Sequence, residues 1–243
     1  MKHHFVETEN AARYRASITM LEQRGAMEAG GLLVTARPGE GKSTVVDHWA
    51  VRSGAVYLRA KTEWTPHYMM LELAQALDVD TRGKSKDLFA RVQARIAAEQ
   101  VPIIIDEVEH ALRNGAECLE QIRDISDLSE IIVVMIGMEQ AKGRISRHMQ
   151  LASRIGYVCE FKPASLADVK LVCDQLSEVS IADDLVQEIH SQSDGRMRAV
   201  LNAVSRAEMA GKSLQRGTVS LDDLRNVPLC EDWQSRVRKG GAK

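Results

Sequence analysis

Five short apolar runs alternate with stretches of helical spacing over the first 162 residues, and this alternation limits the possible folds more than any other feature. The runs lie at residues 31–36, 55–60, 101–106, 131–137 and 157–161. Between them, apolar residues recur at helical spacing over residues 42–53, 66–77, 85–99, 116–128 and 139–152. Parallel strands need long crossover connections, which helices usually supply while covering both faces of the sheet. The pattern therefore predicts an α/β fold built on a parallel sheet.

The pattern changes at Pro163, after which only helical segments are predicted. Ser165 followed by Asp168 has the spacing of a capping box, in which a hydroxyl and a carboxylate accept backbone N–H groups at the start of a helix. We therefore predict two domains, an α/β domain at residues 1–162 and a small helical domain at residues 163–243.

Composition and charge exclude several classes of protein. The 243 residues are 44% hydrophobic, which is enough for a substantial core. No apolar run reaches the roughly 18 residues that a membrane-spanning helix needs. The first residues, MKHHFVETE, also lack the apolar stretch of a signal peptide, so we expect a cytoplasmic protein with no membrane partner. With 32 basic and 34 acidic residues, any attraction to nucleic acid must come from local clusters of charge.

A glycine-rich turn joins the first predicted strand to the first predicted helix. Residues 36–43, ARPGEGKS, follow the pattern G-x-x-x-x-G-K-[ST] except that Ala36 stands at the first glycine. The backbone N–H groups of such a turn favour phosphate groups, a lysine adds charge for the terminal phosphates, and the hydroxyl is a ligand for Mg²⁺. The alternative, an ordinary strand–turn–helix connection, has no need of a lysine and a hydroxyl there. The candidate nucleotide-binding residues are Pro38, Gly39, Glu40, Gly41, Lys42, Ser43 and Thr44.

Two carboxylates end the third predicted strand. In the stretch VPIIIDEVEH, an apolar run is followed by Asp106 and Glu107. Ligands of open α/β sheets bind at the carboxyl edge, where these side chains are expected to lie. There Asp106 can hold magnesium together with Ser43, and Glu107 can orient or deprotonate an attacking water. An acidic pair at a strand end is common by itself, but together with the turn it predicts a site for the triphosphate of ATP or GTP.

The order of these motifs resembles that of the AAA+ ATPases, a class of P-loop NTPases. One predicted strand, residues 55–60, lies between the strand of the turn and the acidic strand, and a helical segment ends the chain. The resemblance covers nearly the whole chain and implies a sheet ordered 5-1-4-3-2. It also implies a nucleotide-binding base at residues 1–162, a lid at residues 163–243, and a homo-oligomeric ring or helical filament in which a neighbour completes each site.

The resemblance implies roles for two arginines. In SDGRMRAVLNAV, Arg198 matches the lid arginine that contacts the γ-phosphate, with Arg196 in reserve and a solvated helix residue as the alternative. In LASRIGYVCEF, Arg154 stands where the family places an arginine finger that enters the neighbour's site, which is worth roughly 10³ to 10⁵ in rate. Arg144 and Arg147 are rival fingers, and a basic helix face in water is the alternative for all three.

One position departs from the family pattern. After the fourth predicted strand, Met138 stands where relatives often carry a polar residue that helps to position water, and Glu139 follows as a possible substitute. We therefore expect weak or tightly regulated ATP hydrolysis.

The N-terminal half resembles a particular AAA+ branch, the Mu-like phage transposition protein B and its transposon relatives. The resemblance lies in FVETENAARYRASITMLEQRG before the glycine-rich turn and in VYLRAKTEWTPHYMMLELAQALDV after it. It implies that ATP and Mg²⁺ are bound, and that the protein polymerises on double-stranded DNA without sequence preference. It also implies that target DNA is delivered to a DNA transposase, which is activated. The alternatives are a helicase loader or another ATP-dependent DNA remodelling factor, and a nucleotide-gated signalling scaffold.

Basic residues are clustered where this branch places DNA. Lysine and arginine side chains that face phosphates give sequence-independent binding that weakens steeply with salt. The alternative is ordinary solvated charge. The candidate DNA contacts are Arg59, Lys61, Lys84 and Lys86. The C-terminal tail adds a basic arm for DNA or for an acidic partner surface, with Arg236, Arg238, Lys239 and Lys243.

Overall fold

The computed structural model describes residues 1–224 and 229–230, without the side chain of Asn114, and the chain forms two compact units. The sheet unit comprises Ala11–Arg37 and Lys42–Phe161. The helical unit comprises Met1–Asn10, Pro38–Gly41 and the described residues from Lys162 onward. Residues 1–10 and 38–41 therefore group with the helical unit, although the sequence-based division counts them with the first domain. That division, at residue 162, stays a prediction.

The sheet unit is built on a parallel sheet. Its strands are β1 (Gly31–Thr35), β2 (Val56–Arg59), β3 (Ile103–Asp106), β4 (Val133–Gly137) and β5 (Ile155–Glu160). They are ordered β2-β3-β4-β1-β5 and every neighbouring pair is parallel, so the expected order 5-1-4-3-2 and the α/β fold class are confirmed. β3 begins two residues later than expected because Pro102 has no N–H group to donate to a ladder.

The central strands are buried along their whole length. β1, β3 and β4 contain only buried residues, as expected for parallel strands that helices cover on both faces. The edge strand β5 instead alternates between exposed and more buried positions. The register pairs Tyr57 with Ile104 and Arg59 with Asp106, which brings the ends of β2 and β3 to the same edge of the sheet.

Helices connect the strands much as the periodicity predicts. They are α1 (Glu9–Glu22), α2 (Lys42–Ser53), α3 (Pro66–Ala76), α4 (Ser85–Glu99), α5 (Val108–Ala111), α6 (Glu117–Ser129), α7 (Ala141–Ile145) and α8 (Met149–Arg154). The single helix predicted over residues 139–152 is wrong, since α7 and α8 are separate. α7 ends at Ile145. The hydroxyl of the next residue, Ser146, donates to the carbonyl of Gly143, and His148 has a non-helical backbone with φ −102° and ψ 87°.

The helical unit has its own apolar core. Its helices are α9 (Leu166–Leu176), α10 (Asp183–Ser193) and α11 (Met197–Ser213), and two short strands, β6 (Ser180–Ile181) and β7 (Thr218–Val219), pair in parallel. The capping box predicted at the start of α9 is confirmed, because the Ser165 hydroxyl accepts the N–H of Asp168 and the Asp168 carboxylate accepts the N–H of Ser165. Asn10 joins the N-terminal segment to this unit through two hydrogen bonds with the backbone of Lys162.

Among residues 1–224 and 229–230, none of the helices combines the length and the apolar character needed to cross a membrane. The basic tail residues Arg236, Arg238, Lys239 and Lys243 lie outside the described residues.

Candidate functional site

The glycine-rich turn requires glycine because of its backbone. Gly39 and Gly41 have φ values of 89° and 84°, in the left-handed region that side chains disfavour. Space is not the reason, since a Cβ atom added at Gly39 would lie at an ordinary contact distance of 3.6 Å from the Cβ of Arg198. The backbone N–H of Arg198 also donates to the carbonyl of Gly39 at 2.9 Å. Within the helical unit, the predicted lid arginine is therefore bonded through its backbone to the turn.

The helix α2 begins directly after the turn, at Lys42. The first N–H groups of a helix have no partner within the helix and carry a partial positive charge, so this end favours anions. Thr44 is exposed, and Glu40 is only 4% exposed. The sequence pattern, which uses the backbone of Glu40, does not predict this burial.

A hydroxyl and a carboxylate meet at the start of α2 and the end of β3. The Ser43 hydroxyl donates to Oδ2 of Asp106 at 3.3 Å, so the structure brings together the two residues predicted to bind Mg²⁺. Asp106 is only 8% exposed. Both groups offer oxygen atoms, the donor type that Mg²⁺ prefers, and the pair therefore fits this ion chemically.

Tyr57 is a further member of this group that the sequence analysis missed. Its hydroxyl donates to the same Oδ2 atom of Asp106 at 2.7 Å. Burial, followed by the hydrogen bond to Asp106 and the charge of that carboxylate, raises the pKa of Tyr57 above its usual value. The sequence did contain an indication of this contact, because the expected order 5-1-4-3-2 places the strand of Tyr57 next to the strand that ends at Asp106.

Glu107 is held differently from its neighbour. Its backbone is left-handed, with φ 53° and ψ 44°, and its N–H donates to Oδ1 of Asp106 at 2.7 Å. Its side chain is 39% exposed and forms an ion pair with Arg59. The hydrogen bond from Arg59 lowers the pKa of Glu107 below its usual value, so the carboxylate is charged at neutral pH. Nε2 of His110 lies 3.8 Å from Oε2 of Glu107.

A cleft of about 370 Å³ opens at the end of β2, beside Glu107. Its walls are formed by Arg59, Ala60, Lys61, Thr62, Glu63, Glu107 and His110.

The four candidate DNA contacts fall into two pairs. Arg59 is bound to Glu107, and Lys61 is bound to Glu72 and to the hydroxyl of Tyr68. The side chains of Lys84 and Lys86 are exposed and have no ion-pair partner among the described residues. These two lysines lie at the N-terminal end of α4.

The predicted substitute for the polar residue after β4 is engaged elsewhere. Glu139 accepts a hydrogen bond from Nε of Arg37 at 3.1 Å, and the side chains of both residues are exposed. The backbone N–H of Met138 donates to the carboxylate of Glu109, and the Met138 side chain is 44% exposed.

The predicted arginine finger is also engaged. Nε and Nη2 of Arg154 donate to the two carboxylate oxygens of Asp127 at 2.8 and 2.9 Å. Within the described part of the chain, the side chains of Arg144 and Arg147 have no hydrogen-bond or ion-pair partner, and Arg147 is exposed. Arg198 is likewise exposed.

Comparisons with known proteins agree with this fold. The model of the family described as AAA domain matches residues 24–145, half of the chain. A Staphylococcus aureus protein described as a potential ATP-binding protein is 41% identical over 59 residues. That match covers 24% of this chain and 21% of the relative, so the chain spans about a fifth of the relative's length.

Two solved structures have similar folds. The Aeropyrum pernix Orc1 protein in complex with DNA has a TM-score of 0.61 at 16% identity, over 95% of this chain and 64% of that one. The Thermotoga maritima RuvB Holliday junction branch migration motor has a TM-score of 0.65 at 17% identity, over 97% of this chain and 76% of that one. These similarities concern the fold, and the match to the family model over half of the sequence gives the identification: the chain belongs to the AAA domain family.

Proposed function

We propose that the protein binds and hydrolyses ATP with Mg²⁺, assembles on double-stranded DNA without sequence preference, and delivers this target DNA to a DNA transposase that it activates. The observation that carries the nucleotide part is the 3.3 Å contact between Ser43 and Asp106 at the end of a glycine-rich turn. This combination of a hydroxyl, a carboxylate and glycines with a left-handed backbone is typical of a site that binds a magnesium-bound triphosphate.

In this proposal, the residues of the turn have separate tasks. The backbone from Pro38 to Thr44 surrounds the phosphates, and Lys42 adds a full positive charge. Ser43 and Asp106 would hold Mg²⁺, which neutralises charge on the phosphates when it is bound. Arg198 contacts the terminal phosphate.

Glu107 is the group that we propose to handle the attacking water. A charged carboxylate accepts a hydrogen bond from water and orients it, and it takes up the proton as the oxygen attacks. The hydrogen bond from Arg59 lowers the pKa of Glu107, so the carboxylate is a weak proton acceptor while this ion pair persists. The ion pair with Arg59 must then be exchanged for the water, which fits an enzyme whose basal activity is low.

A basic residue from the segment before β5 is proposed to complete the site of a neighbouring protomer. Arg154, Arg147 and Arg144 are the candidates, and Arg144 is less exposed than Arg147. The bidentate bond between Arg154 and Asp127 favours Arg147, because Arg147 is exposed and has no described side-chain partner to give up.

Lys84 and Lys86 are proposed as DNA contacts that need no rearrangement. Arg59 and Lys61 are proposed as contacts that form only after their ion pairs with Glu107 and Glu72 are broken. Two proteins with similar folds are described in terms of DNA, the Orc1 protein in complex with DNA and the RuvB Holliday junction branch migration motor. These descriptions support DNA as the partner. The transposase rests on the resemblance to the Mu-like transposition protein B.

The direct test is assembly on DNA. Light scattering and electron microscopy with duplex DNA and a hydrolysis-resistant ATP analogue should show oligomers, and ADP should give none. Lys42→Ala should abolish both nucleotide binding and assembly, whereas Lys162→Ala removes a lysine far from the turn in sequence and should change neither.

The same experiment separates the alternatives. Flat scattering traces at saturating analogue and duplex would refute the assembly proposal. Oligomers that prefer single strands and bind a helicase would instead identify a helicase loader. Assembly on duplex without any stimulation of a transposase would leave a DNA remodelling factor as the better description.

A further inference from the structure

We propose that Tyr57 is a positioning residue for Asp106, and that its hydroxyl sets the affinity of the site for Mg²⁺ with nucleotide. The inference rests on the proposed function and extends it to a residue outside the turn and the acidic pair.

The Asp106 carboxylate is fixed at both of its oxygen atoms. Oδ1 accepts the backbone N–H of Glu107 at 2.7 Å, and Oδ2 accepts the Tyr57 hydroxyl at 2.7 Å and the Ser43 hydroxyl at 3.3 Å. Two short bonds on opposite oxygens oppose rotation of the carboxylate. The bond from Tyr57 is the shorter of the two at Oδ2, so Tyr57 rather than Ser43 fixes that atom.

Tyr57 is well suited to this task because of where it stands. It lies on β2, opposite Ile104 in a parallel ladder, and its ring is partly buried. A rigid side chain on a paired strand holds its hydroxyl in place at little cost in conformational entropy. Asp106 is 8% exposed, so water has poor access to replace a lost phenol hydroxyl.

The consequence for metal binding follows from the sharing of Oδ2. With Tyr57 in place, Ser43 is a second and weaker donor to Asp106, and its oxygen remains available to a cation. Without the phenol hydroxyl, Oδ2 keeps only the longer bond from Ser43, and the carboxylate is held mainly at Oδ1 by the backbone N–H of Glu107. Loss of a group that orients a metal ligand typically lowers metal affinity by 10- to 100-fold.

The test uses the full chain with the variant Tyr57→Phe. A fluorescent, hydrolysis-resistant ATP analogue is titrated with Mg²⁺, and the concentration that gives half-maximal binding is recorded. We expect this concentration to rise about tenfold. Analogue binding in EDTA should stay close to wild type, whereas a purely structural role for the hydroxyl would weaken analogue binding to the same extent with and without Mg²⁺.

Tyr68→Phe is the matched control, because it removes a hydroxyl that bonds to Lys61 at 3.1 Å and not to Asp106. Its Mg²⁺ requirement should equal that of wild type. On an Asp106→Asn background, Tyr57→Phe should cause no further shift, because Tyr57 acts through Asp106.

The outcomes separate this inference from the function on which it rests. Mg²⁺-dependent binding in wild type with an unchanged midpoint in Tyr57→Phe would overturn the role of Tyr57 alone. Equal shifts in Tyr57→Phe and Tyr68→Phe would overturn it too. A wild-type protein whose analogue binding ignores Mg²⁺ would refute the proposed site and the inference together.

Discussion

The end of β3 and the basic surface around the sheet hold their charged side chains in opposite ways. Asp106 is buried and its carboxylate is fixed by a backbone N–H and two hydroxyls. The basic residues lie at the surface, where Arg59, Lys61 and Arg154 are neutralised by single carboxylates. A buried carboxylate in a fixed orientation suits one particular ligand. A surface lysine or arginine is available to a partner only if it forms no ion pair within its own chain.

This difference sorts the basic residues by availability. Lys84, Lys86 and Arg147 have no acidic partner among the described residues and are free to meet DNA or a neighbouring protomer. Arg59, Lys61 and Arg154 each exchange one partner for another. Variants of these basic residues and of Glu107 test this division.

The rate of ATP hydrolysis in the assembled state should depend most strongly on Arg147, the exposed arginine without a described ion-pair partner. We expect Arg147→Ala to lower the DNA-stimulated ATPase rate by about 10³- to 10⁵-fold, because an arginine finger stabilises charge in the transition state. Nucleotide binding by the isolated protomer should be unchanged. Arg154→Ala is the matched variant, and a loss of this size in Arg154→Ala with normal activity in Arg147→Ala would reverse the assignment.

Glu107→Gln should separate binding from hydrolysis. Removal of the proposed base should lower the ATPase rate by about 10²- to 10⁴-fold while nucleotide binding is retained. Oligomers formed with ATP on DNA should then persist, as sedimentation can show. Glu109→Gln is the control, because Glu109 accepts the N–H of Met138 and has no proposed contact with water. If Glu107→Gln cannot assemble at all, the proposed role of Glu107 is wrong.

The salt dependence of DNA binding should distinguish the pair Lys84 and Lys86 from the pair Arg59 and Lys61. Each phosphate contact contributes about 0.9 to the slope of log K against log salt concentration. The double variant Lys84→Ala with Lys86→Ala should therefore reduce the slope by about 2. Arg59→Ala with Lys61→Ala should reduce it by less, because these cations must first leave Glu107 and Glu72. Fluorescence anisotropy over a range of salt concentrations measures both, and equal slopes in the two variants would remove the distinction.

The smallest effect concerns stability. Arg154→Ala removes a bidentate ion pair whose side chains are 36% and 26% exposed, and should lower the free energy of unfolding by about 0.5 to 1 kcal/mol. This corresponds to a melting temperature about 1 to 4 °C lower. Lys142→Ala, which breaks a pair with Glu160 at 57% exposure on both sides, should leave the melting temperature unchanged. Identical melting curves for the two variants would show that the Arg154 pair contributes nothing.

Local patterns made much of the fold predictable. The parallel α/β sheet follows from the alternation of apolar runs and helical segments, the strand order from the resemblance to the AAA+ ATPases, and the turn from glycines next to a lysine and a hydroxyl. The contact between Ser43 and Asp106 was expected because parallel strands end at one edge of the sheet.

The partners of the charged residues could not be predicted in the same way. Arg59 meets Glu107 only because β2 and β3 pair in one particular register, and Arg154 meets Asp127 only because α8 packs beside α6. The sequence alone does not distinguish Tyr57 from other half-buried strand residues, because its hydrogen bond to Asp106 depends on the pairing of β2 with β3. The break between α7 and α8 was missed because Ser146 and His148 disturb a helix through local hydrogen bonding and backbone geometry, which apolar spacing does not report.

The chemistry at the end of β4 has a consequence for timing. Met138 presents a thioether, and the Glu139 carboxylate is already bound to Arg37, so this end of the sheet brings little help in orienting water. If Glu107 does that work alone, each bound triphosphate should survive for a long interval before it is cleaved. The lifetime of the assembly on DNA would then be set by the slow rate of ATP hydrolysis.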